Sequence, residues 1–137
     1  MPQRTLDQKR AQTALTYIRS LLEESDKEAR ARYLGEIKQA PGLIAVNGLV
    51  PALLHLKGSK IREHIEAWLT SEEAPVSWKP EEGQSDVSER LLSQEAAVYR
   101  QATEEALRFT AWLKRWAQAY LEEVESAGQA AEKGPSA

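Results

Sequence analysis

One uninterrupted apolar stripe near the C-terminus limits most strongly what this chain can fold into. Between residues 94 and 125, Tyr99, Ala102, Ala106, Phe109, Leu113, Trp116, Tyr120 and Val124 recur at alternating steps of three and four. That spacing puts them on one side of an α-helix for several turns. No proline or glycine interrupts the interval. Ser93 is expected to cap its start and Gly128 to stop it. At 1.5 Å per residue the helix is about 45 Å long. So large a stripe has to be covered, and within one subunit only the preceding helices can cover it.

The other side of this helix carries Arg100, Arg108, Lys114 and Arg115, with Glu104, Gln118 and Glu122 among them. Leu107 and Ala111 fall in the middle of that polar side, and Trp112 on its border. A lone exposed Leu is ordinary. The three together, beside arginines, read equally as scattered surface residues and as a contact surface for another subunit.

Upstream, Thr5 and Gln8 form a capping-box pattern ahead of a stripe of Ala11, Ala14, Leu15, Ile18, Leu21 and Leu22. This predicts a first helix over 6–24, with Gln8, Lys9, Arg10 and Arg19 on its polar side. Ser25 and Glu28 repeat the box and open a second helix that buries Ala29, Tyr33 and Ile37. Pro41-Gly42 is expected to end it, because proline disfavours helix at the residue before it. The segment 43–56 is apolar nearly all round, which predicts a buried central helix interrupted near Asn47, Gly48 and Pro51. Gly58 ends it, Ser59 caps the next, and Ile61, Ile65, Trp68 and Leu69 give that helix its buried positions. Residues 70–85 hold two prolines, a glycine and four glutamates and read as a mobile surface loop, with Trp78 the one residue able to fold back on the core. Asp86 or Ser88 starts a short helix carrying Val87, Leu91 and Leu92. The expected architecture is all-α: a compact bundle of about six helices with one long C-terminal helix. It forms a single domain over 1–127 with a disordered tail over 128–137.

For 137 residues of which 42% are apolar, one core without staples suffices. There is no cysteine, so no disulfide and no thiolate metal site. The N-terminal residues have no apolar signal core, and no run is long enough to span a membrane; the expected location is cytoplasmic. The net charge of −3 argues against a free-standing, tight nucleic-acid binder. The charge is uneven, however. Residues 1–70 hold eleven Lys/Arg against eight Asp/Glu, and residues 71–137 seven against thirteen. From Lys38 through Arg62 there are four basic residues and no acidic one.

No enzymatic constellation assembles. His55 and His64 are the only histidines, without metal-pair spacing, and no phosphate-cradling glycine loop exists. The paired glutamates read as solvated charges. The chain is expected to be no enzyme, with no cofactor, no metal and no small-molecule substrate.

Four stretches occur together in order: QKRAQTAL (8–15), VNGLVPALLHL (46–56), the run from Ser59-Lys60 to Trp68-Leu69, and YRQATEEALRFTAWLKRWA (99–117). They resemble the small subunit of the type III-B (Cmr) CRISPR effector complex, the fifth of the Cmr proteins. The resemblance covers about 5–70 and 88–122 and departs at Pro51, where a freer helix former is expected. It implies an α-bundle without catalytic activity of its own. Copies would stack head to tail along the backbone subunit that carries the guide RNA, beside the large subunit, lining the path of the target RNA. The nucleic-acid candidates are then Lys9, Arg10, Lys57, Lys60, Arg100, Arg108, Lys114 and Arg115, and the subunit-interface candidates Leu107, Ala111 and Trp112. Lys57 and Lys60 flank the Gly58-Ser59 turn before a helix start, where phosphate is attracted, whereas Arg62 is expected to pair with Glu66. The alternative is a helical protein adaptor with no nucleic-acid contact. A DNA-binding helix-turn-helix over 43–69 is disfavoured by the apolar first helix and by Glu63 and Glu66 in the second.

Overall fold

The computed structural model describes residues 4–133, and the side chains of residues 4–122. Six helices and no strand occur among the described residues: α1 (Leu6–Glu24), α2 (Lys27–Asn47), α3 (Leu49–His55), α4 (Lys60–Leu69), α5 (Val87–Leu92) and α6 (Ala96–Lys133). The expected all-α bundle with a long C-terminal helix is what forms. α1 and α2 pack most extensively on α6, and α4 closes the bundle between them.

Ala102, Ala106, Phe109 and Leu113 are buried as the stripe predicts, but Ala117 and Leu121 continue the buried line where Trp116 and Tyr120 were expected. The small Ala102, Ala106 and Ala117 let neighbouring helices approach, and the two larger rings turn to the edge of the seam. Phe109 is the centre of the core. It stacks on Trp68 of α4 at 5.1 Å and meets Tyr17 of α1 edge-on at 6.1 Å. Val124 lies outside the described side chains. Gly128 does not stop α6, which runs on to Lys133. The tail expected over 128–137 extends into residues 134–137, outside those described.

The helix starts follow local chemistry. Thr5 and Gln8 form the reciprocal capping box, and Ser59 accepts from Arg62 N–H. At α2 the cap is Asp26, accepting from Ala29 N–H, one residue beyond the expected Ser25. Ser93 closes α5 instead of opening α6, its hydroxyl donating to the carbonyl of Arg90.

Pro41 sits inside α2 without ending it. An interior proline costs about 3 kcal/mol. Ile37, Ala40 and Ile44, all fully buried on one side of α2, offset this, since each large aliphatic contributes roughly 1.5–3 kcal/mol. The break comes at Gly48 (φ +92°), so two helices meet there and Pro51 occupies the first turn of α3. The free N–H of Val50 is satisfied by Tyr99 Oη of α6 at 2.9 Å. The 43–56 segment is not buried all round: Val46 is 82% and Leu54 59% exposed.

The segment between α4 and α5 is non-helical but anchored. Trp78 is fully buried, and its backbone N–H donates to the carbonyl of Leu69 at 2.9 Å.

Candidate nucleic-acid interface

A groove of about 340 Å³ opens where α1 ends, between the first half of α2 and the α3–α4 turn. Its walls include Arg32, His55, Lys57, Lys60 and Ser59, with Glu36 the one carboxylate among the lining residues. The positions follow from the turn. Gly58 adopts φ +84°, a region L-residues rarely enter, and this lets Lys57 and Lys60 stand on either side of the start of α4. Lys60 makes an exposed ion pair with Glu63 at 3.2 Å, of a kind worth only about 0–1 kcal/mol. Among the described residues Lys57 has no ion pair. Arg62 is occupied as expected: it pairs with Glu66 at 3.0 Å and reaches Asp86 at 3.8 Å.

Arg32 joins this cluster without having been singled out in the sequence. It lies on the exposed side of α2, far along the chain from Lys57, and only the packing of α2 against the α3–α4 turn brings the two together.

Arg10 is the correction. It was placed on the polar side of the first helix, yet it is 4% exposed. Its guanidinium grips Glu105 of α6 through Nε at 2.5 Å and Nη2 at 2.7 Å, and Trp68 Nε1 donates to the same carboxylate at 2.9 Å. The Glu105 hydrogen bond holds the Arg10 pKa above its usual value. A guanidinium buried in this pairing is not open to a phosphate. Arg10 also reaches Asp7 Oδ1 at 3.3 Å, and the same oxygen accepts from Trp112 Nε1 at 3.0 Å. The Trp112 bond, followed by Arg10, keeps the Asp7 carboxyl below the usual range even against partial desolvation.

The remaining candidates do not converge on the groove. Arg100 and Arg108 are exposed on the outer side of α6 with Glu104 between them, and Lys9 and Lys114 are half-buried. Arg115 lies over the Trp112 ring, 5.0 Å from its centre. Because Trp112 is tied to Asp7 in the first turn of α1 and the groove borders Leu21 and Ser25, the two cationic regions lie about 20 Å apart along α1. Leu107, Ala111 and Trp112 are each half-buried, with Leu107 and Trp112 packed against the core edge. They are less open than a polar-face placement suggests.

His64 faces inward. It stacks on Tyr17 at 4.6 Å and shares a hydrogen bond with Tyr33 Oη at 2.8 Å. Burial, with Lys60 nearby, lowers its pKa to about 4. It is a neutral structural ring at neutral pH. No group of three or more His, Cys, Asp or Glu residues able to hold a metal occurs among the described residues.

The family model described as CRISPR-associated protein (Cas_Cmr5) matches residues 6–120, which takes in every helix from α1 to α5 and most of α6. The chain belongs to the Cas_Cmr5 family. It is accordingly a small subunit of a type III-B CRISPR complex, as the four sequence stretches imply. The match runs through Pro51 and through the acidic segment after α4, both of which lie outside or against the resemblance read from the sequence. Among the described residues no helix of this Cas_Cmr5 chain is long and apolar enough to cross a membrane.

Proposed function

We propose that this chain is a non-catalytic, filament-lining subunit of the Cmr complex that holds the RNA backbone through the groove at the α3–α4 turn. The observation carrying this reading is the grouping of Arg32, Lys57 and Lys60 around one groove with Glu36 as its single acid. Cations on a groove wall position phosphates and read no base sequence. One subunit offers few such contacts and carries a net charge of −3, so affinity arises from repetition over stacked copies. Lys60 exchanges a weak exposed pair with Glu63 for a phosphate at little cost. Arg100, Arg108, Lys114 and Arg115 form a second, weaker candidate path along α6. Leu107, Ala111 and Trp112 face a neighbouring subunit.

The test is the Lys57→Ala/Lys60→Ala double variant in the assembled complex. Target-RNA affinity should fall uniformly across sequences, and the slope of log affinity against log salt should flatten by roughly two phosphate contacts per copy. Folding should be untouched, since both side chains are exposed. Unchanged affinity and slope would move the strand to the α6 face. The chain purified alone should show no nuclease activity; cleavage that follows it through purification would remove the non-catalytic assignment.

A further inference from the structure

The groove at the α3–α4 turn does not end at its cations. A second hollow of about 210 Å³ opens beside it, lined by Glu36, Gln39, Leu43, His55 and Leu56. Glu36, His55 and Leu56 line both, so the two form one trough with Glu36 at the junction. The packing of α2 on α3 is the cause. Successive turns of α2 put Arg32, Glu36, Gln39 and Leu43 along one wall, and the end of α3 supplies the other. Arg32, Lys57 and Lys60 stand on one side of the junction, and the neutral Gln39 and Leu43 on the other.

The Glu36 carboxylate is half-buried in this wall and unclaimed. Arg32 lies one helical turn before it, yet among the described residues Glu36 has neither an ion pair nor a side-chain hydrogen bond. The neighbouring Tyr33 hydroxyl is already shared with His64. An acid among phosphate-binding cations weakens their grip, so its place calls for a compensating contact. A second anion beside it is repelled, whereas a neutral O–H donor gains a charge-assisted hydrogen bond. A single strand offers two kinds of neutral donor. Amino groups occur on some bases only; the 2′-hydroxyl occurs on every ribonucleotide and on no deoxyribonucleotide. Cations that hold phosphates without reading sequence match a donor that is equally indifferent to sequence.

We infer that Glu36 accepts a hydrogen bond from a ribose 2′-hydroxyl of the strand in the groove, and so makes this wall prefer RNA to DNA. The order along the trough is the order within a nucleotide. Cations meet the phosphate, an acceptor meets the ribose, and the neutral hollow of Gln39, Leu43 and Leu56 takes the base. This rests on the reading of the groove as an RNA-backbone site and adds the residue that selects the sugar.

Binding of the assembled complex to two target strands of one sequence tests this. One strand is RNA. In the other every 2′-hydroxyl is replaced by 2′-fluoro, which keeps the ribose pucker and the base pairing but cannot donate. Glu36→Ala should shrink the wild-type preference for the RNA strand about fivefold or more, whereas Glu36→Gln should keep most of it, because an amide oxygen still accepts. Both replacements are good helix formers, and circular dichroism of each purified chain checks its folding. An unchanged preference in Glu36→Ala overturns the inference. So does an equal loss in both variants, which is an effect of charge alone, or a loss that follows the bases of the strand, which marks a base amino group as the donor. Lys57→Ala/Lys60→Ala separates the two failures. If it weakens binding of both strands while Glu36→Ala leaves the preference intact, the groove stands and Glu36 does not select the sugar. If it weakens neither, the strand runs elsewhere and the inference falls with the groove.

Discussion

Arg10 and Glu105 join α1 to α6 across 95 positions of sequence, and their side chains are only 5% and 4% exposed. Removing one partner strands the other as a buried charge, which costs about 3–5 kcal/mol. Arg10→Met leaves the Glu105 carboxylate with Trp68 Nε1 as its remaining close donor, and should fall in that range. Glu105→Leu leaves the buried Arg10 guanidinium with Asp7 at 3.3 Å as its remaining partner, and should also cost about 3–5 kcal/mol. For a chain of this size that is a fall in melting temperature on the order of 10–15 °C.

The double variant Arg10→Met/Glu105→Leu removes both charges together. It leaves only the Trp68 indole N–H unpaired, at about 1–3 kcal/mol, and recovers the desolvation of two ions. It should be no less stable than either single variant, giving a coupling energy of about 3 kcal/mol or more in a double-mutant cycle. Urea titrations followed by circular dichroism and by tryptophan fluorescence supply the four stabilities. Additive losses, or an Arg10→Met cost below about 1 kcal/mol, would refute the argument that the pair is held together by mutual compensation in a dry site.

Three further outcomes follow from the packing. His64 titrates near pH 4 in the folded chain against 6.5 as its ordinary value, so above about pH 6.5 it adds no pH dependence; between 6.5 and 4 the unfolded chain takes up the proton first and stability falls by up to roughly 3 kcal/mol. Urea midpoints across that window should fall less for His64→Phe than for wild type, and parallel curves would contradict this. Trp78→Ala should cost about 3–5 kcal/mol although it lies in a segment rich in Pro, Gly and Glu, and deleting 72–84 should cost at least as much; a melting temperature within a few degrees of wild type in either case would show the ring to be dispensable. Gly48→Ala must place a Cβ at φ +92° and should lose about 1–2 kcal/mol in thermal melts, with an unchanged midpoint counting against the strained corner.

What was legible in the sequence was what local chemistry decides. The capping residues Thr5 and Ser59, the bounds of α1, and the buried Ile61, Ile65, Trp68 and Leu69 of α4 all depend on neighbours within one or two turns. What was not legible depends on partners far along the chain. Pro41 reads as a stop until Ile37, Ala40 and Ile44 are seen covered together. Gly48 reads as an interruption of one helix until Tyr99 is found completing the first turn of the next. Arg10 sits among Gln8 and Lys9 and looks like its neighbours; only Glu105 on α6 makes it a core residue.

The same distinction orders the candidate surfaces. Lys57 and Lys60 are close in sequence and flank a glycine turn, so their grouping was visible, whereas Arg32 reaches them only through α2. The placement of Trp116 and Tyr120 was hidden more deeply, because both fit a helical core period as well as Ala117 and Leu121 do. Small residues won the centre of the α1–α6 seam since they permit closer helix approach, and the displaced rings became surface. The consequence bears on assembly. A chain that both lines an RNA path and touches its own copies needs two surfaces that do not compete. On the reading proposed above, the cationic groove at the end of α1 and the Leu107, Ala111 and Trp112 patch, whose Trp112 is tied to Asp7 at its start about 20 Å away along that helix, are such a pair. Lys57→Ala/Lys60→Ala should therefore weaken RNA binding by the assembled complex while the cross-links between neighbouring subunits stay as in wild type; loss of those cross-links in the double variant would mean that the two surfaces are one.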